Sequence, residues 1–128
     1  MKKLITLFTL LFLTLTTIAQ TAHARAYEFR IGKRDYYTNE IVWNGNTSPC
    51  NILIEIKDYD IIVYSNTKQH YHVIQKLNES SEGAVMYRMS DSQGTKCNFY
   101  MGPIEGGESV YIAIEYNDYA WMYSCVDE

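Results

Sequence analysis

The sequence predicts an all-β protein: an antiparallel meander of about eight to nine strands, folded into a small barrel or a strongly curved sheet. Three observations lead to this prediction. Apolar and polar residues alternate along many short segments, which is the pattern of strands with one buried face. Turn-forming residues separate these segments at short intervals. No segment shows a sustained i, i+3, i+4, i+7 apolar spacing of helical length.

The N-terminal residues have the order of a secretory signal peptide. Lys2 and Lys3 form a charged start, an apolar run with interspersed threonines covers residues 4–18, and residues 22–24 (Ala-His-Ala) match a small-x-small cleavage site. The apolar run is too short for a comfortable membrane-spanning helix, and no later segment approaches the ~20 apolar residues that such a helix needs. We therefore expect an exported protein, periplasmic or extracellular, with no integral membrane segment after signal cleavage.

The domain organisation follows from the cleavage site. Cleavage after Ala24 divides the chain into a signal peptide, residues 1–24, and a single all-β domain, residues 25–128. Cleavage after Ala19 is the alternative. The whole chain has a net charge of −4, which becomes more negative when the two N-terminal lysines are removed. This balance argues against nucleic acid as a partner, because nucleic-acid sites need clustered Lys and Arg.

The first half of the domain contains five predicted strands. Asn44-Gly45-Asn46 and Asp58-Tyr59 are turn signals between them, and β-branched residues favour strand over helix. The polar residues 32–39 and 65–68 are predicted loops. The predicted strands cover residues 27–31, 40–43, 51–57, 60–64 and 69–77.

The second half contains two predicted hairpins. The first covers residues 84–101 around a turn at 91–94, and the second covers 109–125 around Asn117-Asp118. On the strand 109–116, Val110, Ile112, Ile114 and Tyr116 share one face. Because consecutive strands usually pair, the hairpins favour a meander, and closing it into a barrel would hide the edge strands.

The three cysteines leave the disulfide state open. Export permits a disulfide, but Cys50, Cys97 and Cys125 are an odd number, so at least one thiol stays unpaired within a monomer. In a simple meander Cys97 and Cys125 would lie two strand spacings apart, roughly 9–10 Å, beyond the Cα distance of about 7 Å that a disulfide tolerates. All three are equally consistent with small buried apolar side chains.

Two runs near the C-terminus carry a resemblance. Residues 86–97 contain an aspartate-x-x-glycine-x-x-cysteine turn, and residues 110–123 contain a strand that ends in Glu-Tyr and an aromatic return strand. In both respects the last third of the domain resembles small secreted proteins of Bacteroidetes-type bacteria. The resemblance implies a bacterial origin and a β fold, and it carries over no functional residue.

Catalytic and metal-binding patterns are weak. His70 and His72 share a face of a strand, but no further ligand has the spacing of a metal site, so we expect no metal and no cofactor. Glu55, Asp58 and Asp60 cluster at one hairpin turn, where the turn chemistry of aspartate already explains two of them. Cys97 with a distant histidine could form a nucleophile pair, but cysteines on strands are more often core residues. We therefore expect no enzymatic activity.

Aromatic content is the sharpest feature of the composition. All 12 tyrosines and both tryptophans lie after the predicted signal. Tyr and Trp combine a large apolar surface with a polar group, so they dominate recognition surfaces, although they are also good strand formers. We predict a ligand-binding surface on the last hairpin and its surroundings, formed by Trp43, Tyr111, Tyr119, Trp121 and Tyr123.

These residues lead to a hypothesis of a non-enzymatic binding protein. It would hold an unknown protein, a glycan or a small apolar ligand, either on the aromatic surface or inside the barrel. The interior version predicts unfilled volume among Ile52, Ile54, Ile56, Val110, Ile112 and Ile114. The alternatives are a periplasmic inhibitor of a hydrolase that presents loops such as 102–108, and an unrecognised hydrolase built on Asp58, Asp60 or His72.

Overall fold

Nine antiparallel strands form the protein, and the predicted all-β meander is confirmed. The computed structural model describes residues 21–79, 84–104 and 106–128, and these residues form strands, turns and bends without a helix. The strands are β1 (Ala22–Asp35), β2 (Glu40–Trp43), β3 (Ser48–Ile56), β4 (Asp60–Val63), β5 (Gln69–Glu79), β6 (Val85–Asp91), β7 (Lys96–Pro103), β8 (Ser109–Glu115) and β9 (Tyr119–Asp127).

Pairing between the first and last strands closes the sheet into a barrel. β9 pairs with β1 from Ala24↔Asp127 to Lys33↔Tyr119, and the remaining strands pair with their sequence neighbours from β3 to β9. The ring therefore has eight strands, while β2 lies outside it as an extra strand on β1. Closure satisfies the backbone groups that an open sheet would expose at its edges.

A bulge in β1 changes which side chains face the interior. β1 pairs with β3 on one side and with β9 on the other, and both registers shift between Ala26 and Glu28. The last residues of β1 pair with β2. Before the bulge, Ala24 and Ala26 are buried in the core. After it, the inward set moves to Phe29 and Ile31, because one extra residue reverses the alternation of faces.

The middle of the barrel is filled by apolar side chains. Alternating residues of the ring strands point inward, and the large side chains among them are fully buried: Phe99, Ile54, Ile61, Met89, Ile112, Ile114, Val63, Val73 and Cys125. The predicted inward face of β8 is confirmed, since Ile112 and Ile114 lie in the core and Val110 and Tyr116 pack against it. Of the six residues expected around unfilled volume, Ile54, Ile112 and Ile114 are fully buried in the core, whereas Ile52 lines the cleft described below.

Several predicted boundaries differ from the structure, and those of β1 differ most. Residues 32–35 were expected in a loop, but they continue β1, because β2 folds back and pairs with them. The predicted signal peptide, residues 1–24, lies largely outside the described residues. Its last three residues, 22–24, form the start of β1 and pair with Ile54–Ile56 of β3.

Candidate functional site

A cleft opens at one end of the barrel, where the chain leaves β4 and enters β5. It encloses about 730 Å³, and we call it the mouth cleft. Its lining comes from the second half of β1, the start of β3, the β4–β5 connection and the start of β9. In the ring β9-β1-β3-β4-β5, β5 lies four strands from β9 and therefore across the eight-stranded barrel. The mouth cleft thus lies between opposite sides of the barrel.

The cleft exists because two neighbouring strands separate early. The ladder between β3 and β4 covers Ile54–Ile56 and Ile61–Val63, and it ends with the bond from the Tyr64 N–H to the Leu53 carbonyl. The first residues of β3 are paired with β1 but face the β4–β5 connection without a strand between them. Pro49 and Cys50 line the cleft at this point. The gap makes the barrel end wider than a fully paired ring would.

One wall of the mouth cleft is aromatic. Tyr119, Trp121 and Tyr123 alternate along β9, so all three point to the same side, and Phe29 of β1 packs beside them. The rings of Tyr119 and Trp121 stack at 5.6 Å between centroids and 26° between planes. Tyr116, just before the β8–β9 turn, extends the stack at 5.3 Å from Tyr119. The three rings therefore stack on one another, and Tyr119 and Trp121 contribute to the wall of the cleft.

The opposite wall is polar. It is formed by the connection between β4 and β5, with Ser65, Asn66 and Thr67 before Gln69 opens β5. The Gln69 amide is held in place, because its nitrogen donates to Ser65 Oγ at 3.0 Å and its oxygen accepts from the Tyr71 hydroxyl. The side chains of Asn66 and Thr67 form no hydrogen bond with any described residue. Amide and hydroxyl groups are therefore available at this wall.

No charged side chain lines the mouth cleft among the described residues. Three other clefts of the molecule contrast with it, since each includes Arg34 and Glu115. Two titratable groups in the lining, Tyr123 and Cys50, have raised pKa values. Burial raises the pKa of Tyr123 to about 12, although the Gln69 amide beside it acts in the other direction. Burial, followed by the nearby Glu28 carboxylate, raises the pKa of the Cys50 thiol.

The indole N–H of Trp121 is buried without a hydrogen-bond acceptor among the described residues. It lies close to the Tyr123 hydroxyl and lowers the pKa of that group slightly, but the two atoms do not have the geometry of a hydrogen bond. Phenylalanine at this position would keep an aromatic ring and remove an unsatisfied donor. Trp121→Phe is therefore a mild substitution for experiments on the cleft.

The turn that begins the aromatic strand is anchored by Arg34. This guanidinium donates to the Glu115 carboxylate at 2.9 Å and to the backbone carbonyls of Tyr116 and Asn117. Charge-assisted bonds in a fork geometry are strong and directional. Arg34 thus holds the β8–β9 turn, and with it the start of the aromatic wall, against the end of β1.

The structure brings together three of the five predicted binding residues. Tyr119, Trp121 and Tyr123 line the mouth cleft. Tyr111 does not, because it pairs with Ser124 and faces outward, where its ring covers Gly102. Trp43 lies on β2, outside the ring, with its indole over Gly32. The expectation that Tyr111 shares a surface with the other aromatic residues of the last hairpin is therefore wrong.

Several cleft residues escaped the sequence analysis. Phe29 and Ile31 were recognised only as strand residues, and Asn66 and Thr67 only as loop residues. The alternation of 27–31 indicated a buried apolar face, but nothing in it indicated a cleft. The polar residues meet the aromatic ones only through barrel closure, which no local pattern predicts.

The carboxylates and histidines singled out by the sequence lie away from the mouth cleft. Asp60 accepts from His70 at 3.0 Å and lies 3.5 Å from His72, and these bonds, led by the one from His70, hold the pKa of Asp60 below its usual value. Asp58 pairs with Lys76 at 2.9 Å, and Glu55 contacts His23 at 3.2 Å. These groups form ion pairs at the surface and line none of the four clefts.

The three cysteines are all free thiols. Cys97 on β7 and Cys125 on β9 are separated by β8, as a meander requires. Burial raises the pKa of Cys97 to about 11 and that of Cys125 to about 12, so both are protonated at neutral pH. A thiol in that state is a poor nucleophile.

Four further findings bear on function. Within the part of the chain that the structure describes, no group of three or more His, Cys, Asp or Glu side chains could hold a metal ion. None of the described residues forms a helix long and apolar enough to cross a membrane. The predicted inhibitory loop 102–108 is described only in part, since Glu105 lies outside the described residues. Comparison with known proteins finds no match to a protein-family model, to a curated protein or to a solved structure.

Proposed function

We propose that this chain is an exported, non-enzymatic binding protein that holds a small molecule in the mouth cleft. The observation that carries the proposal is the cleft itself: about 730 Å³, lined on one side by Phe29, Tyr119, Trp121 and Tyr123. Small-molecule sites typically enclose ~300–1,000 Å³, with mostly apolar and aromatic walls and a few polar groups. The mouths of β-barrels are a common place for such sites.

The positions of the titratable groups support binding without catalysis. General acid–base chemistry needs a carboxylate, histidine or similar group within reach of the bound substrate. The nearest candidates in sequence, Asp58, Asp60 and His72, lie in surface ion pairs, and the mouth cleft has no charged lining among the described residues. The cleft therefore offers contact surface and hydrogen bonds rather than proton transfer.

A single-tryptophan variant gives a direct test. The chain contains only Trp43 and Trp121, and Trp43 lies outside the cleft. In Trp43→Phe all tryptophan emission comes from the cleft wall. We expect N-phenyl-1-naphthylamine, a neutral apolar fluorophore, to bind this variant and quench Trp121. In the matched variant Trp121→Phe, the same probe should quench Trp43 less strongly, because Trp43 lies outside the cleft and transfers energy to the bound probe only over a longer distance.

Two results would overturn the proposal. The first is the absence of any change in Trp121 emission while circular dichroism shows the variant to be folded. The second is equal quenching of both single-tryptophan variants, which would indicate non-specific adsorption. Native mass spectrometry of protein exported by its own host supplies an independent readout, because a non-covalent adduct that disappears on denaturation reports a natural ligand.

A further inference from the structure

We infer that the ligand of the mouth cleft is a neutral saccharide, which packs one face against the aromatic wall of Tyr119, Trp121 and Tyr123 and directs its hydroxyl groups to the 65–69 wall. This inference rests on the proposed function and specifies the ligand class of the same cleft. It depends on three properties of the lining: two unlike walls, the absence of charge and the presence of unpaired polar side chains.

The two unlike walls match the two unlike sides of a sugar ring. Tyr119, Trp121 and Tyr123 supply aromatic surface to one wall of the cleft. The face of an aromatic ring is electron-rich, so it attracts the weakly positive C–H groups on one face of a pyranose. Asn66 and Thr67 lie on the opposite wall and offer amide and hydroxyl groups, whereas Ser65 and Gln69 already bond to each other. Such groups both donate and accept hydrogen bonds, as sugar hydroxyls do.

The uncharged lining selects a neutral ligand. A carboxylate, sulfate or phosphate group loses hydration when it enters a cleft, and only an opposite charge or several donors can compensate for that loss. No Lys, Arg or His lines the mouth cleft among the described residues, although the ammonium of exposed Lys68 lies 5.5 Å from the centroid of the Tyr64 ring. The raised pKa values of Tyr123 and Cys50 favour the neutral forms of those groups. Uronic acids and sulfated sugars are therefore disfavoured.

The unpaired polar groups argue against a purely apolar ligand. Asn66 and Thr67 have side chains that bond to no described residue, although both line the cleft. An apolar ligand would cover these groups and leave them without water or a partner, at a cost of about 1–3 kcal/mol per buried group. A saccharide replaces the displaced water with its own hydroxyls. The polar wall thus favours the binding of a sugar and disfavours the binding of a lipid.

Isothermal titration calorimetry with a defined panel tests the inference. The panel contains neutral tetrasaccharides of glucose, xylose, mannose and N-acetylglucosamine, with oligogalacturonate as the charged comparison and N-phenyl-1-naphthylamine as the apolar one. We expect at least one neutral sugar to bind and oligogalacturonate not to bind. Trp121→Ala should weaken sugar binding by ~10-fold or more, because the stacking surface is lost.

A second variant separates the polar wall from the aromatic one. Asn66→Leu combined with Thr67→Val removes the free hydrogen-bonding groups, so the ratio of sugar affinity to probe affinity should fall by ~10-fold. Gln93→Leu, in the exposed β6–β7 turn outside the cleft, is the matched control and should leave sugar binding unchanged.

The outcomes distinguish the two proposals. If the apolar probe binds but no neutral sugar binds at up to about 10 mM, the saccharide inference falls and the binding function stands. If neither binds to folded protein, both fall. If oligogalacturonate binds as well as the neutral sugars, the argument from the uncharged lining is wrong.

Discussion

The Tyr116 hydroxyl donates a hydrogen bond of 2.8 Å to Asp91 Oδ2, and this bond joins the end of β8 to the β6–β7 turn. The other carboxylate oxygen of Asp91 accepts from the backbone N–H groups of Gln93 and Thr95 at 2.9 Å. Gly94 completes the turn with a φ of +85°. One aspartate therefore organises the turn and also fixes Tyr116, whose ring supports Tyr119 and Trp121 from behind.

Tyr116→Phe should lower the free energy of unfolding by about 1–2 kcal/mol, because it removes a partly buried hydrogen bond to a carboxylate. Tyr36→Phe is a matched control. It removes a bond of the same length, 2.8 Å to Asp118, but Tyr36 is 77% exposed. We expect that control to change stability by less than about 0.5 kcal/mol. Urea unfolding of both variants measures the difference, and equal losses would show that burial does not strengthen the Tyr116 bond.

Asp91 also predicts a pH dependence of stability. Burial acts to raise its pKa, but the bonds from Tyr116, Thr95 and Gln93 outweigh this effect and hold the pKa below its ordinary value of 3.8. A carboxyl whose folded-state pKa is depressed contributes stability above its unfolded-state pKa, and that contribution is lost as the pH falls through the folded-state value. Stability should therefore decrease in acid below about pH 4.

Asp91→Asn should remove this part of the acid dependence. The stability gap between wild type and variant is expected to be largest at neutral pH and to close in acid. Asp127→Asn, at the exposed end of β9, serves as the control carboxylate and should leave the pH profile unchanged. A stability difference between wild type and Asp91→Asn that stays constant from neutral pH to acid would show that Asp91 does not cause the acid dependence.

The packing of Tyr111 over Gly102 predicts that Gly102→Ala destabilises the wild-type protein but stabilises a variant that lacks the Tyr111 ring. A Cβ at position 102 would lie 2.7 Å from Tyr111 Cε2, so Gly102→Ala must displace the ring and should destabilise the protein by about 1 kcal/mol. In a Tyr111→Ala background the space is open, and the same change should stabilise the strand by about 0.5–1 kcal/mol, because alanine loses less backbone entropy than glycine. Thermal unfolding of the four chains measures the coupling, and additive effects would contradict the contact.

The start of β1 favours one of the two signal cleavage sites that the sequence predicts. Residues 22–24 pair with β3, the Glu128 N–H donates to the His23 carbonyl at 3.1 Å, and Ala24 is buried in the core. We propose that cleavage follows Ala19, because cleavage after Ala24 would remove these contacts. The intact mass of exported protein should correspond to a chain beginning at Gln20. A chain that begins at Arg25 should be less stable by about 1–3 kcal/mol, and an equally stable one would contradict the argument.

The alternation of apolar and polar residues predicted the positions of the strands and, for most of them, which side chains face the interior. Strict alternation along residues 109–116 and 119–125 predicted Ile112 and Ile114 in the core, because side chains on a strand point to opposite faces in turn. Tyr119, Trp121 and Tyr123 share a side for the same reason. Tyr111 was grouped with them incorrectly, since the face of one hairpin strand relative to the other depends on the pairing register, which places Tyr111 opposite Ser124.

The cleft forms only in the tertiary structure. The aromatic wall on β9 and the polar wall at residues 65–69 are about 50 positions apart in the chain, and only the closure of β9 on β1 sets them across the same barrel mouth. The early end of the β3–β4 ladder and the bulge after Ala26 also depend on how strands meet. Alternation is a local property that each segment carries by itself, whereas closure, bulges and strand separation arise from the competition of all strands for partners.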